Sequence, residues 1–278
     1  MRRSTRRPVA ATAGLALAAG LAASGCGLDG GGPESVADKE SLVIGVKADQ
    51  PGLGLRDASG RYSGFDVDVA RYIAARLGVP GHRVRFVTTP SSIRERALQT
   101  GMADMVIATY SITAPRKTKV TFAGPYYVPH QDTLVRADDT GIRNVRDLAG
   151  KRLCEVAGSN SWRRVVEERG IAARRVPAPT YSDCMTMLAD GRIDAVSTDD
   201  LILAGFARGR PVKIINAPFT DEKYGVGLRK GDLDGCEAVN RAITQMYQSG
   251  HALTLLRKWF GESGLRLASS VPQFEGCS

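Results

Sequence analysis

Residues 102–131 read MADMVIATYSITAPRKTKVTFAGPYYVPHQ, and the fold follows from how they are parsed. An apolar strand, Met105 to Ala108, runs into three hydroxyl-bearing residues, Thr109, Tyr110 and Ser111, and Arg116 lies five positions beyond Ser111. A guanidinium offers two parallel donors that match the two oxygens of a carboxylate, while hydroxyls and backbone N–H groups at a strand end add further hydrogen bonds. Arg116, Thr109 and Ser111 are therefore candidates to seat a carboxylate. A polar turn with a solvated arginine leaves the same spacing, so the weight falls on the surroundings.

Outward from this stretch, short apolar strands alternate with helical patterns. Upstream lie strands at 42–46 and 84–87 and a helix from Phe65 to Leu77, whose apolar residues Phe65, Val69, Tyr72, Ile73 and Leu77 fall on one face. Asp66 and Asp68 read as helix-start charges, since residues two apart on a helix face different ways. Ser92-Ile93-Arg94-Glu95 has the spacing of a capping box. Downstream the pattern repeats, with strands at 152–156, 174–176 and 193–197 and helices at 161–169, 182–190 and 199–207. Long helices from Leu233 to Gln248 and through Leu255, Trp259 and Phe260 close the chain. Alternation of this kind predicts α/β architecture with mostly parallel sheets, in two tandem lobes.

At the amino end, four arginines (Arg2, Arg3, Arg6, Arg7) precede the apolar run Val9–Ala23, which is too short and wrongly flanked for a spanning helix. Residues 1–25 read as an export signal, and the paired arginines fit both the general and the twin-arginine route. Ala23-Ser24-Gly25-Cys26 looks like a lipobox in which Cys26 takes a diacylglycerol. Residues 26–40, rich in Gly and charge, read as a flexible tether. Removing the four signal arginines lowers the net charge from +9 to +5, and no basic run is interleaved with aromatics, which argues against nucleic-acid binding.

Four further cysteines remain, Cys154, Cys184, Cys236 and Cys277; an even number in an exported chain predicts two disulfides, with three pairings open. Their spacings make no metal knuckle, and neither a cofactor nor a metal is expected. His82, His130 and His251 are scattered and pair with no obvious nucleophile.

Ser111-Ile112-Thr113-Ala114-Pro115-Arg116, Phe122-Ala123-Gly124-Pro125-Tyr126-Tyr127 and, upstream, Gly64-Phe65-Asp66-Val67-Asp68-Val69 resemble, in order and spacing, motifs of the polar amino-acid branch of the bacterial extracellular solute-binding proteins, the receptors of ABC importers. The resemblance covers about residues 40–261. It implies a periplasmic-binding-protein-like type II fold: lobe 1 at 41–128 and 227–278, lobe 2 at 134–221, and a two-strand hinge at 129–133 and 222–226. Ligands of such sheets bind outside the strand ends, between facing lobes.

The resemblance also implies roles. Arg116 would hold a ligand's α-carboxylate and Asp199 its α-ammonium, with Asp200 left as a helix-start charge. Gly158-Ser159-Asn160-Ser161 looks like the family's second anion loop, in which Ser159 and Ser161 lie between a strand and a helix whose N–H groups converge on the anion. Lys47 and Arg94, with Ser91 adding a hydroxyl, fall where glutamate/aspartate receptors would face a side-chain carboxylate. Two cations beside one cleft make an acidic ligand their natural counterpart, whereas Asp49 nearby suits an amide or a cation. The implied disulfides are Cys154–Cys184 and Cys236–Cys277. KADQPGLG, ATYSIT and GPYYVPHQDTLV look most like actinobacterial glutamate receptors, which points to a monomeric, lipid-anchored receptor for L-glutamate, with aspartate as a possible second ligand, that serves an ABC permease at the outer face of the membrane. The alternatives are a receptor for glutamine or another polar amino acid, and an enzyme on the same fold, such as a cyclohexadienyl dehydratase, using a cleft carboxylate as acid or base.

Overall fold

A computed structural model describes residues 34–277; the export segment and Cys26 lie outside the described residues. The first lobe is built on β1 (Leu42–Val46), flanked in parallel by β5 (Val84–Thr88) and β6 (Met105–Val106). Between β1 and β5 the chain makes a small antiparallel sheet of β2 (Asp49–Gln50), β3 (Gly54–Arg56) and β4 (Tyr62–Ser63), then α1 (Phe65–Arg76). α1 buries Phe65, Val69 and Ile73 as its spacing requires. α2 (Arg94–Gln99) precedes β6, and the short α3 (Ala114–Lys117) precedes β7 (Val120–Tyr127).

The second lobe contains β8 (His130–Arg136), β9 (Arg152–Val156), α4 (Ser161–Arg163), β10 (Arg174–Ala178), α5 (Tyr181–Ala189), β11 (Val196–Asp199), α6 (Asp200–Ala207), β12 (Val212–Ile214) and β13 (Thr220–Asp221). The chain then returns through β14 (Tyr224–Arg229), which enters the first sheet between β6 and β7, antiparallel to both. α7 (Leu233–Gln248) and α8 (His251–Phe260) pack on α1.

Two segments cross between the lobes, 128–129 and 222–223, and they are paired: Tyr127 faces Tyr224, the Glu222 N–H donates to the Pro129 carbonyl at 2.8 Å, and His130 faces Asp221. The second lobe therefore departs from the mostly parallel expectation: β8 is antiparallel to β11, β12 and β13, and only β9 and β10 pair in parallel, as a separate two-stranded sheet. β8 runs away from the crossover while β11 runs toward it, Val196 opposite Leu134 and Asp199 opposite Gln131, so β11 delivers Asp199 to the junction of the lobes. α6 is buried from Asp200 to Phe206, the pattern of a helix apolar on every side.

Several details differ from the sequence reading. β6 spans two residues rather than running from Met105 to Ala108, because pairing with β1 stops at Val106 and the chain turns at Thr109, which has φ 45°. No capping box forms at Ser92: Ser91–Ile93 is a 3₁₀ turn, Ile93 is the N-cap, and Glu95 instead faces Arg116. The helix expected at 161–169 is three α-helical residues followed by a π-turn, Arg164–Glu168. Residues 34–40, assigned to the tether by composition, are held on the first lobe. The Asp232 carboxylate accepts from Ser35 Oγ (2.6 Å) and from the Val36 N–H (3.0 Å), and Val36 is buried. The disulfides are Cys154–Cys184, joining β9 to α5, and Cys236–Cys277, joining α7 to the C-terminal tail. Among the described residues no helix is long and apolar enough to cross a membrane.

Candidate functional site

The lobes meet along a buried seam, and its first-lobe wall is cationic. Lys47, one residue past β1, is 3% exposed and donates from Nζ to Ser91 Oγ at 2.6 Å. Arg94, the first residue of α2, is 2% exposed and donates from Nη1 to the carbonyls of Ala108 (3.0 Å) and Thr109 (3.1 Å). Arg116, on α3, is 8% exposed; Nη1 donates to the Ser111 carbonyl at 2.8 Å and Nε lies 3.5 Å from Glu95 Oε1. Burial, then the neighbouring Arg94, holds the Lys47 ammonium well below its ordinary range and brings Arg116 down to about 10. Arg94 Nε and Gln50 Nε2 are buried donors without hydrogen-bond partners.

Thr109 is fixed in its left-handed conformation, uncommon for a β-branched residue, by Asp66. The Asp66 carboxylate accepts from the Thr109 N–H (2.9 Å) and from the Tyr126 hydroxyl (2.8 Å), and burial raises it to about 6. Asp66 is thus a support for the cleft floor rather than a helix-start charge. Asp68 faces outward, where Lys258 and Trp259 donate to it. The Thr109 hydroxyl bonds Gln50 Oε1 at 3.2 Å, and Ser111 contributes its carbonyl to Arg116.

The second-lobe wall is acidic and rich in hydroxyls. Asp199 ends β11, is 4% exposed, and accepts from the Tyr224 hydroxyl at 2.7 Å. Burial first, then the adjacent Glu222, lifts it to about 8. Asp200 opens α6 and ties it to the crossover through the His130 N–H at 3.3 Å, and burial raises it to about 6. Ser159, Ser161, Tyr181 and Thr198 form one hydroxyl cluster, with oxygen–oxygen distances of 2.8 to 3.3 Å.

The loop 158–161 departs from its expected form. The Ser159 N–H donates to the Val156 carbonyl and the Ser161 N–H to Ser159 Oγ, so neither is presented to an anion. What the loop turns toward the first lobe is the Gly158 carbonyl, which accepts from Arg116 Nη2 (3.0 Å) and Arg94 Nη2 (3.4 Å). Gly158 has φ 76° and lies so close to Ser91 that a Cβ would fall 2.6 Å from its carbonyl group. No larger residue fits there with the lobes together.

Further contacts cross the seam. Asn160 Oδ1 lies 3.5 Å from Arg116 Nη1, and Asn160 Nδ2 donates to Glu222, which is held by Arg164 Nε at 2.7 Å. Asp49 faces α5 rather than the cation wall, accepting from the Ser182 N–H (3.4 Å) and, through its carbonyl, from Ser182 Oγ (3.0 Å). All nine predicted site residues lie along this one seam. Gln50, Asp66, Tyr181, Thr198, Glu222 and Tyr224 belong to it as well and were not singled out by the sequence. Four of them lay in stretches the sequence analysis had marked for other reasons: Asp66 in a motif, Gln50 in KADQPGLG, and Glu222 and Tyr224 in the expected hinge.

Similarity to known proteins extends through both lobes. The family model of bacterial extracellular solute-binding proteins, family 3, matches residues 42–262. The glutamate-binding protein GluB of Corynebacterium glutamicum is 38% identical over 279 residues, 95% of this chain and 94% of the relative. The ABC transporter glutamine-binding protein GlnH of Bacillus subtilis is 32% identical, over 82% of this chain and 84% of its own. Among solved structures, an ancestral amino acid-binding protein described as a precursor of cyclohexadienyl dehydratase superposes with a TM-score of 0.73 at 32% identity, covering 82% of this chain and all of that one. With two α/β lobes, a paired crossover and a match from Leu42 to Glu262, the chain has the type II periplasmic-binding-protein fold and belongs to the bacterial extracellular solute-binding proteins, family 3.

Proposed function

We propose that the chain is an extracellular, lipid-anchored receptor that closes over an acidic amino acid, L-glutamate, and delivers it to an ABC import permease without chemistry of its own. The observation that carries this reading is the asymmetry of the seam: Lys47, Arg94 and Arg116 are buried on one side, and Asp199 with Glu222 on the other. An α-amino acid has a carboxylate for the first and an ammonium for the second, and a side-chain carboxylate uses the remaining cations.

In this reading Arg116 takes the α-carboxylate, with Thr109 and Ser111 shaping its seat, and Asp199 takes the ammonium. Ser159 and Ser161 contribute through their hydroxyls. Lys47, Arg94 and Ser91 take the side-chain carboxylate. Residues 1–25 serve export, Cys26 carries the lipid, and the lobes, 41–128 with 227–278 and 134–221, close about 129–133 and 222–226 as a monomer. The similarity to GluB supports glutamate. Glutamine is the second reading, favoured by the similarity to GlnH.

A thermal-shift measurement of the mature domain against all twenty amino acids tests the reading, because a ligand held only by the folded form raises the melting temperature. Glutamate is expected to give the largest shift and glutamine a smaller one. No shift with any amino acid, or turnover of prephenate or arogenate above background, would contradict a receptor role.

A further inference from the structure

Arg94 and Arg116 come from different helices, yet both are registered against the same four residues, Ala108–Ser111. Arg94 donates to the carbonyls of 108 and 109, and Arg116 to that of 111. Between these anchor points the Tyr110 ring meets both guanidinium groups, with Arg94 Cζ 4.3 Å and Arg116 Cζ 5.1 Å from its centroid. The ring is fully buried and set edge-on to Phe122, with centroids 4.7 Å apart. Gly227 packs so closely that a Cβ would come within 2.9 Å of the ring. Its hydroxyl lies beside Glu95 but makes no hydrogen bond of normal geometry, so what it offers the arginines is the aromatic face.

Two neighbouring guanidinium groups repel each other, and a carboxylate placed between them would cancel the repulsion at the cost of competing with the ligand. The negative face of an aromatic ring attracts both cations while leaving their outward N–H groups to other acceptors. Carbonyl groups fixed in a backbone do the same. Glu95 is paired with Arg116 at its edge, with Oε1 3.5 Å from Nε.

We propose that Tyr110 is a positioning residue: its ring sets the separation and orientation of Arg94 and Arg116, and so selects ligands by the distance between their two carboxylates. The selectivity half of this rests on the acidic-ligand reading above; the positioning half does not. The test is calorimetry of wild type, Tyr110→Phe and Tyr110→Leu with glutamate, aspartate and glutamine, together with a series in which progressively fluorinated phenylalanines replace Tyr110. Tyr110→Phe is expected to bind within about twofold of wild type, since only a ring face is used. Tyr110→Leu is expected to lose about tenfold more affinity for glutamate than for glutamine, the scale of a cation–π contact at a desolvated site.

Fluorination drains the ring face with little change of shape, so it stands even if the leucine variant does not fold. Affinity should fall stepwise with fluorine count for whichever amino acid the wild type prefers, because Arg116 meets an α-carboxylate in every case. A flat series, or equal losses of glutamate and glutamine in Tyr110→Leu, would overturn the proposal. If the wild type prefers glutamine while the series still slopes, the acidic-ligand reading fails and the positioning role stands.

Discussion

The two walls of the seam solve opposite problems. The first-lobe wall holds three cations together, and backbone carbonyls, a hydroxyl and an aromatic face compensate them, with Glu95 3.5 Å from Arg116 Nε. The second-lobe wall holds Asp199 beside Glu222, and relieves the pair by raising the proton affinity of Asp199 and by tying Glu222 to Arg164. The two guanidinium groups of the first wall keep their charge, whereas burial makes the Lys47 ammonium easier to discharge and the Asp199 carboxylate easier to protonate. Ligand recognition should therefore be insensitive to pH at the arginines and linked to protons, with opposite sign, at Lys47 and Asp199.

The largest effect expected from breaking this contrast is at Arg116. Replacing it with Ala should weaken binding of any α-amino acid by about 2 to 5 kcal/mol, because a buried carboxylate loses its partner; titration calorimetry with glutamate and glutamine reads it directly. Replacing Lys47 and Arg94 together with Met should come next. A loss of about 1.5 to 3 kcal/mol for glutamate, the scale of hydrogen bonds to charged groups, is expected with little change for glutamine. Equal losses would remove these two residues from selectivity.

The smallest effect, and the one that sharpens the comparison most, is in protons. Asp199 sits near 8 in the folded protein against about 3.8 in the unfolded chain. Its native form is therefore favoured at low pH, and stability falls as the pH rises from about 4 through about 8. A ligand ammonium favours the carboxylate, so binding at pH 6 to 7 should release a proton, and affinity should rise toward pH 8. Lys47 works the other way, because a carboxylate brought to its suppressed ammonium draws a proton in. Net release should then be greater with glutamine than with glutamate, and Asp199→Asn should abolish the release. Calorimetry in buffers of different ionisation heat measures both.

The same contrast governs what the sequence could reveal. Arg116 was legible in the residues themselves, five positions past a run of hydroxyls at a strand end, whereas Lys47, Arg94 and Asp199 were legible only through the resemblance to the family. Tyr181 was not, since an aromatic in the first turn of an amphipathic helix looks like core until its hydroxyl is seen among Ser159, Ser161 and Thr198. Glu222 lay inside the expected hinge, and its burial follows only once Arg164 is brought opposite it by folding. The loop 158–161 was found in its expected place with its backbone reversed, because Ser159 captures the N–H of Ser161 and no spacing rule reports that local choice. Likewise β8 runs antiparallel to its neighbours because the chain enters the second lobe on β8 and leaves it on β13 beside it, a constraint of topology rather than of composition.

The central claim is that one amino acid is gripped at both charged ends by opposite lobes. A crystal structure of the mature domain with L-glutamate tests it most directly. The account predicts an α-carboxylate within about 2.7 to 3.2 Å of the Arg116 guanidinium and an ammonium at similar distance from Asp199. A bound ligand that touches only one of the two, or lies outside the seam, would contradict it.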